Sequence, residues 1–195
     1  MLKKHITKEE INELPLVSYE GEVVVAETND EIFDAINEIN KYNRVGFDTE
    51  SRPAFKKGQY FPVSLIQIAT PEKVYLLRIK DTGLTKPIAD FLSNGDIEKI
   101  GVALHDDIKD LKKLAKFNDS GFIDLGKVAK SLDLVNSGAR SLAGLILGFR
   151  ISKSQQTSNW ENETLNENQI SYAATDAWVC LKIYEELIYR GYWEG

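Results

Sequence analysis

Residues 44–50 read Arg-Val-Gly-Phe-Asp-Thr-Glu, and this stretch decides the architecture. Side chains along a strand alternate with period two. Val45, Phe47 and Thr49 therefore share one face, and Asp48 and Glu50 share the other. Working outward, residues 62–69 and 73–79 read as two further strands joined by a turn at Thr70-Pro71-Glu72, and residues 22–26 as a short strand upstream. Thr28 with Glu31 forms a capping box, and Ile32, Ile36 and Ile39 follow at helical spacing. Downstream the pattern predicts a helix over 86–92, a strand over 97–104, a helix over 106–116, a short strand over 122–124 and a helix to Leu132. A further helix spans 141–147, with Gly148 as its C-cap signal. The polar stretch 150–163 is a long loop. Asn166 with Gln169 caps a last helix, where Leu165 can staple to Ile170, and Gly191 stops that helix near Arg190. This order is α/β with a mixed sheet.

The chain has 195 residues, enough for one domain with a full core. Residues 1–21 read as an irregular lead-in and 22–195 as the domain. No apolar run reaches the roughly 18 residues of a membrane span. The N-terminus has a basic start but no apolar core, so a secretory signal is not expected. The lone Cys180 fits a packed thiol in a reducing, cytoplasmic setting. A net charge of −6 argues against strong non-specific duplex binding. It leaves a nucleic-acid substrate open, because bound divalent cations invert the local field.

Certain acids stand out against this acidic background. Asp48 and Glu50 lie side by side at the C-terminal end of a strand, a usual place for α/β active sites. Alone, the pair also fits a solvated strand end. In the helix of residues 106–116, Asp107 aligns with Leu111 and Leu114 on the core side, whereas Asp106 aligns with Lys109, Asp110 and Lys113 toward water. Asp107 also fits a dipole-complementing acid in a first helical turn. Around the last helix, Ser171, Thr175, Lys182, Glu185 and Glu186 make a polar arc. Asp176 falls near the middle of the opposite, apolar arc, with Tyr172 one turn earlier. A buried carboxylate needs a cation, a metal or several hydrogen bonds. Oxygen-only ligand sets suit Mg²⁺ and Mn²⁺. Two such ions about 4 Å apart are the usual device for phosphodiester hydrolysis, and a tyrosine hydroxyl can hold the attacking water in line.

The stretches GFDTES, GVALHDDIKDL and YAATDA, supported by SLIQIAT, SLAGLILG and KSQQTSNW, resemble the motifs of the DEDD superfamily of 3'-5' exonucleases. With Tyr172 four residues before Asp176, the pattern is similar to the DEDDy branch of ribonuclease D and Werner-syndrome-type exonuclease domains. The resemblance runs from about residue 22 to 192. It implies an RNase H-like fold around a five-stranded mixed sheet, flanked by helices. It implies Asp48, Glu50, Asp107 and Asp176 as ligands of two divalent cations, Mg²⁺ or Mn²⁺, and Tyr172 as the residue that orients the attacking water. The implied substrate is the 3' end of a DNA or RNA strand, and the product a nucleoside 5'-monophosphate. Ser51, Lys153, Ser158 and Trp160 are implied as substrate-binding positions; Trp160 also fits a packing anchor for the long loop. His105 fits a strand end or a substrate contact. Lys109, Lys112, Lys113 and Lys116 form a modest basic strip, and Phe55, Tyr60 or Phe61 offer stacking surfaces. Ribonuclease D carries additional C-terminal RNA-binding helical domains, which this sequence does not contain. That difference and the acidic charge motivate two other readings. One is a catalytically weak nucleic-acid-binding or protein-interaction module, the other a phosphodiesterase for short oligonucleotides.

Overall fold

The computed structural model describes residues 2–194. The strands are β1 (Val23–Ala26), β2 (Arg44–Ser51), β3 (Val63–Ala69), β4 (Val74–Arg78), β5 (Glu98–Gly101) and β6 (Phe122–Asp124). They form one sheet in the order β1-β4-β3-β2-β5-β6. β3 runs antiparallel to both neighbours, and the other pairings are parallel. This is the expected mixed α/β sheet with six strands rather than five. The sixth is the three-residue β6, which pairs with β5 through Lys99–Phe122, Ile100–Ile123 and Gly101–Asp124. It ends there because the Asp124 side chain turns back to cap the next helix, accepting from the Gly126 N–H at 2.8 Å.

The helices are α1 (Lys8–Glu13), α2 (Asn29–Ile39), α3 (Lys86–Ser93), α4 (His105–Leu114), α5 (Leu125–Ser131), α6 (Ala139–Leu142) and α7 (Glu167–Tyr189). One face of the sheet carries α2, α3 and α4, whose Ile32, Ile36, Ile88, Phe91 and Leu111 pack with Val45, Phe47, Ile66 and Ile68. The other face carries α7, whose Tyr172, Ala173, Ala174 and Ala177 pack with Leu65, Ala69 and Leu76. The alternation read from residues 44–50 thus separates two different helical layers.

α7 lies unusually close to β2. A Cβ placed on Gly46 would stand 2.0 Å from the Ala177 carbonyl oxygen and 2.9 Å from its carbon. Only glycine lets the two backbones touch there.

Four segments differ from the sequence expectation. Residues 8–13 of the lead-in are a helix, with Thr7 and Glu10 forming a complete capping box. The lead-in packs down onto the domain: Leu2, Ile6 and Ile11 are buried, and the Tyr19 N–H donates to Thr175 Oγ1 at 2.9 Å. That contact buries Thr175, so the polar arc of α7 is not open to solvent there. The strand expected over 97–104 stops at Gly101, because Ala103 takes a left-handed φ of 57° that starts α4 within three residues. The helix expected over 141–147 is α6 followed by a π-turn over Ala143–Leu147, closed by Gly148 at φ 76°. In α4, Leu111 is buried as expected, but Leu114, at the helix end, is exposed.

Substituting Gly46→Ala should lower the unfolding free energy by more than about 2 kcal/mol, because the clash is with helix backbone that cannot rotate away. Urea denaturation checks this; an unchanged midpoint would show that α7 can lift at no cost.

Candidate active site

β2 ends at the same sheet edge where α4 begins, and α7 crosses that edge diagonally. Asp48 and Glu50 lie on the α7 side of β2, in register with Gly46. Asp176 is next to Ala177, the residue that touches Gly46, so the same close approach brings its carboxylate down beside Asp48. Carboxylate oxygens of Asp48, Glu50 and Asp176 lie within 4.8 Å of one another. A β-bulge between Glu50 and Ser51 shifts the pairing from Leu65 to Val63 and ends the regular ladder just past the acids.

Asp107 reaches the edge from the other side of the sheet. It stands in the first turn of α4, and the Thr49 hydroxyl donates to its Oδ1. The four acids therefore straddle the end of β2, three on the α7 side and Asp107 on the α4 side. Thr49 joins them, a role that no alternation rule assigns to it.

Burial dominates the electrostatics. It pushes Asp48 far above the carboxylate range, reinforced by the charges of Asp176 and Asp107. Glu50 rises to about 10, from burial first and then from Asp48, Asp176 and Asp107. Asp176 rises to about 7 through burial, while the Tyr172 hydroxyl and the Lys153 charge pull it back. Asp107 is raised by burial and partly restored by Thr49. Tyr172 is raised as well, so its phenol stays protonated and acts as a donor. Buried, mutually repelling carboxylates with oxygen-only donors are what a hard divalent cation compensates. Asp48, Glu50 and Asp176 fit a first cation on geometry. Asp107 is set apart from that group.

A cleft of about 310 Å³ opens over the cluster, lined by Asp48, Glu50, Tyr172 and Asp176 and on its far wall by Lys153 and Arg140. Of the positions singled out in the sequence, Lys153 is exposed at this cleft. Ser158 faces inward and accepts from Gln169 Nε2 at 2.8 Å, tying the long loop to the start of α7. Trp160 is fully buried and packs against Tyr172, ring centroids 6.0 Å apart. It holds the tyrosine and presents no surface to the cleft. Ser51 sits at the bulge and does not line the cleft. His105 begins α4 and faces a different hollow, with Lys109 and Lys127. Phe55 and Tyr60 are exposed on the β2–β3 loop, and Phe61 lies half-buried under the Arg52 guanidinium at 4.7 Å. Sequence reasoning missed Thr49 and Arg140. It also missed Arg78, whose buried guanidinium donates to the Glu163 carbonyl at 2.7 Å and to that of Asn162, pinning the loop that carries Lys153.

Residues 23–190 match the family model described as 3'-5' exonuclease, and the chain belongs to that family. It is 34% identical over 185 residues to the bifunctional 3'-5' exonuclease/ATP-dependent helicase WRN of Mus musculus, covering 89% of this chain and 13% of that protein. It is 28% identical over 194 residues to the exonuclease mut-7 homolog of Aedes aegypti, covering 86% and 27%. The chain thus spans about a quarter or less of the length of these relatives. The crystal structure of the Aedes aegypti Nibbler EXO domain superposes with a TM-score of 0.77 at 23% identity, covering 89% of this chain and 94% of that one, a likeness of fold. Among the described residues no helix is long and apolar enough to cross a membrane.

The raised acids set a pH dependence. In the native state they hold protons that the unfolded chain releases near pH 4, so the native state binds more protons above that pH and stability falls as pH rises. For cation-free protein, the melting temperature should drop between about pH 4 and about pH 7 as Asp176 ionises, and continue down toward about pH 10 with Glu50. Millimolar Mg²⁺ or Mn²⁺ should restore it, more strongly at higher pH, because a cation displaces those protons. Calorimetry with and without chelator tests this; a cation-free melting temperature that climbs over that range would contradict the assigned environment.

Proposed function

We propose that the chain is a metal-dependent 3'-5' exonuclease that hydrolyses phosphodiester bonds at the 3' end of single-stranded or 3'-terminal DNA or RNA and releases nucleoside 5'-monophosphates. The observation that carries this reading is the convergence of Asp48, Glu50 and Asp176 within 4.8 Å, with Asp107 held by Thr49 at the same edge. Two similar proteins, both named as exonucleases, support it.

Asp48, Glu50 and Asp176 would hold one divalent cation, and Asp107 together with Asp48 a second, Mg²⁺ or Mn²⁺. Bound cations supply water activation and stabilise the leaving oxygen. The protein's own groups do the rest. The Tyr172 phenol, kept protonated beside Asp176, would hold the attacking water in line with the scissile phosphorus. Trp160 fixes the tyrosine ring from behind. Lys153, exposed across the cleft, offsets the charge of the substrate phosphate. Ser158 and Gln169 keep that loop in place.

With Mg²⁺ or Mn²⁺, purified protein should shorten a 5'-labelled single strand from its 3' end. Asp48→Ala and Asp176→Asn should each reduce the rate by at least about a thousandfold, and Tyr172→Phe by about tenfold to a hundredfold. Gel analysis of matched DNA and RNA strands and of dinucleotides reads out substrate class. Full activity in both acid variants would reject the site, and faster turnover of dinucleotides than of long strands would favour a short-oligonucleotide phosphodiesterase.

A further inference from the structure

Arg140 is a cation with unused bonding capacity. It lines the acid cleft, yet it takes part in none of the ion pairs among the described residues. Its Nε is buried and has no acceptor. Its Nη2 donates to Asn12 Oδ1 at 2.7 Å, a neutral partner that fixes the guanidinium without cancelling its charge. Asn12 belongs to α1, and α1 is held rigidly. Ile6, Ile11 and Leu14 close over Gly144, within 3.0–3.5 Å of where a Cβ would stand. The Ile6 N–H donates to Asn136 Oδ1 at 3.0 Å, and the Val135 N–H to the Lys4 carbonyl at 2.9 Å.

A second hollow of about 230 Å³ shares Arg140, Ser141 and Lys153 with the acid cleft and extends to Lys8 at the start of α1. The two hollows share a wall and together present three cations, Arg140 and Lys153 at the shared wall and Lys8 in the second hollow. Cations grouped beside a hydrolytic centre suit a polyanion whose charges repeat along a chain.

We propose that the two hollows form a groove that carries the phosphodiester backbone of a single nucleic-acid strand upstream of the bond to be cut. Arg140, oriented by Asn12, is its principal phosphate ligand, and Lys153 and Lys8 flank it. The lead-in helix α1 is on this account one wall of the substrate-binding surface. The proposal rests on the exonuclease reading for the direction of the strand, and on the groove alone for the binding of phosphate.

The test uses the full chain in the Asp176→Asn background with Mg²⁺, so that binding is read without cleavage. Fluorescence anisotropy follows a labelled single strand of about 12 nucleotides across a salt series. Arg140→Ala should weaken binding roughly tenfold and make the slope of log Kd against log salt shallower by about one. Arg140→Lys should keep the slope and recover part of the affinity, and Asn12→Ala should weaken binding without changing the slope. Lys109→Ala with Lys127→Ala, in the other hollow, should change neither. In the cleavage-competent protein, Arg140→Ala should raise KM and leave kcat within about twofold.

Unchanged affinity and slope in Arg140→Ala, or losses confined to the Lys109 and Lys127 variants, would overturn the groove. If Arg140→Ala unfolds, Arg140→Lys and Asn12→Ala carry the test, and parental affinity in both overturns it equally. A wild-type protein that binds strands through Arg140 but cleaves none would refute the exonuclease reading and uphold the groove. An active wild type with parental binding in Arg140→Ala would do the reverse.

Discussion

The site depends on a contact between two backbones. α7 rests on β2 where Gly46 meets the Ala177 carbonyl, with no side chain between them. Two residues further along β2 is Asp48, and one residue back along α7 is Asp176. The carboxylates are thus brought together by main-chain geometry, which is stiffer than any pair of rotamers. Ala173, Ala174 and Ala177 continue the flat face that permits the approach. Neither acid has to be attracted to the other, and their charges would in fact drive them apart. Packing over the length of a 23-residue helix overrides that repulsion.

This arrangement costs stability at one place in order to hold a specific charge pattern. Three acids share a small, largely enclosed space in which Asp176 is buried and Asp48 and Glu50 are half-buried, and a fourth is close enough to add to their repulsion. The surrounding structure absorbs the strain through features remote from the chemistry. Arg78 and Gln169 clamp the C-terminal part of the loop behind Tyr172, at Asn162–Glu163 and Ser158–Asn159, and Trp160 packs against the tyrosine. Thr49 gives Asp107 a fixed hydrogen-bond partner across the strand end. Each fixes a group that would otherwise relax away from its neighbours.

Much of this was legible in the sequence because it is periodic. The two-residue alternation of 44–50 placed Asp48 and Glu50 together, and the helical phase of 167–189 placed Tyr172 beside Asp176 under an apolar face. Capping boxes marked α2 and α7 to within a residue. The same signal, Thr7 with Glu10, was present before α1, but a six-residue helix has too few turns to show a periodic face. What stayed hidden was nonlocal. Thr175 reads as solvent-facing until the lead-in is folded over it. Lys99 lies inside the expected strand 97–104 and has no local signal. It is in fact fully buried, donating to the carbonyls of Asn94 and Ile97 at 2.6 and 2.8 Å, with burial drawing it down to about 8. Ser158 and Trp160 are recognisable as a motif, but only the folded loop shows that they face inward. Arg140 carried no local signal, since its meaning comes from Asn12, 128 positions away.

An acidic chain proposed to act on a polyanion must separate its charges in space. The net charge of −6 belongs to the whole chain, whereas burial keeps the acids at the cleft floor protonated until a bound cation would displace those protons. Several surface lysines are already in ion pairs: Lys112 with Asp119, Lys113 with Asp110, Lys86 with Asp90. Such exposed pairs contribute little to stability, but they lower the positive potential of the faces they occupy. Two of the four lysines of the basic strip, Lys112 and Lys113, are partly neutralised in this way. Arg140 and Lys153 line the cleft with the acids and take part in no ion pair among the described residues. On the proposed reading, the phosphates of a strand in the cleft would follow Arg140 and Lys153.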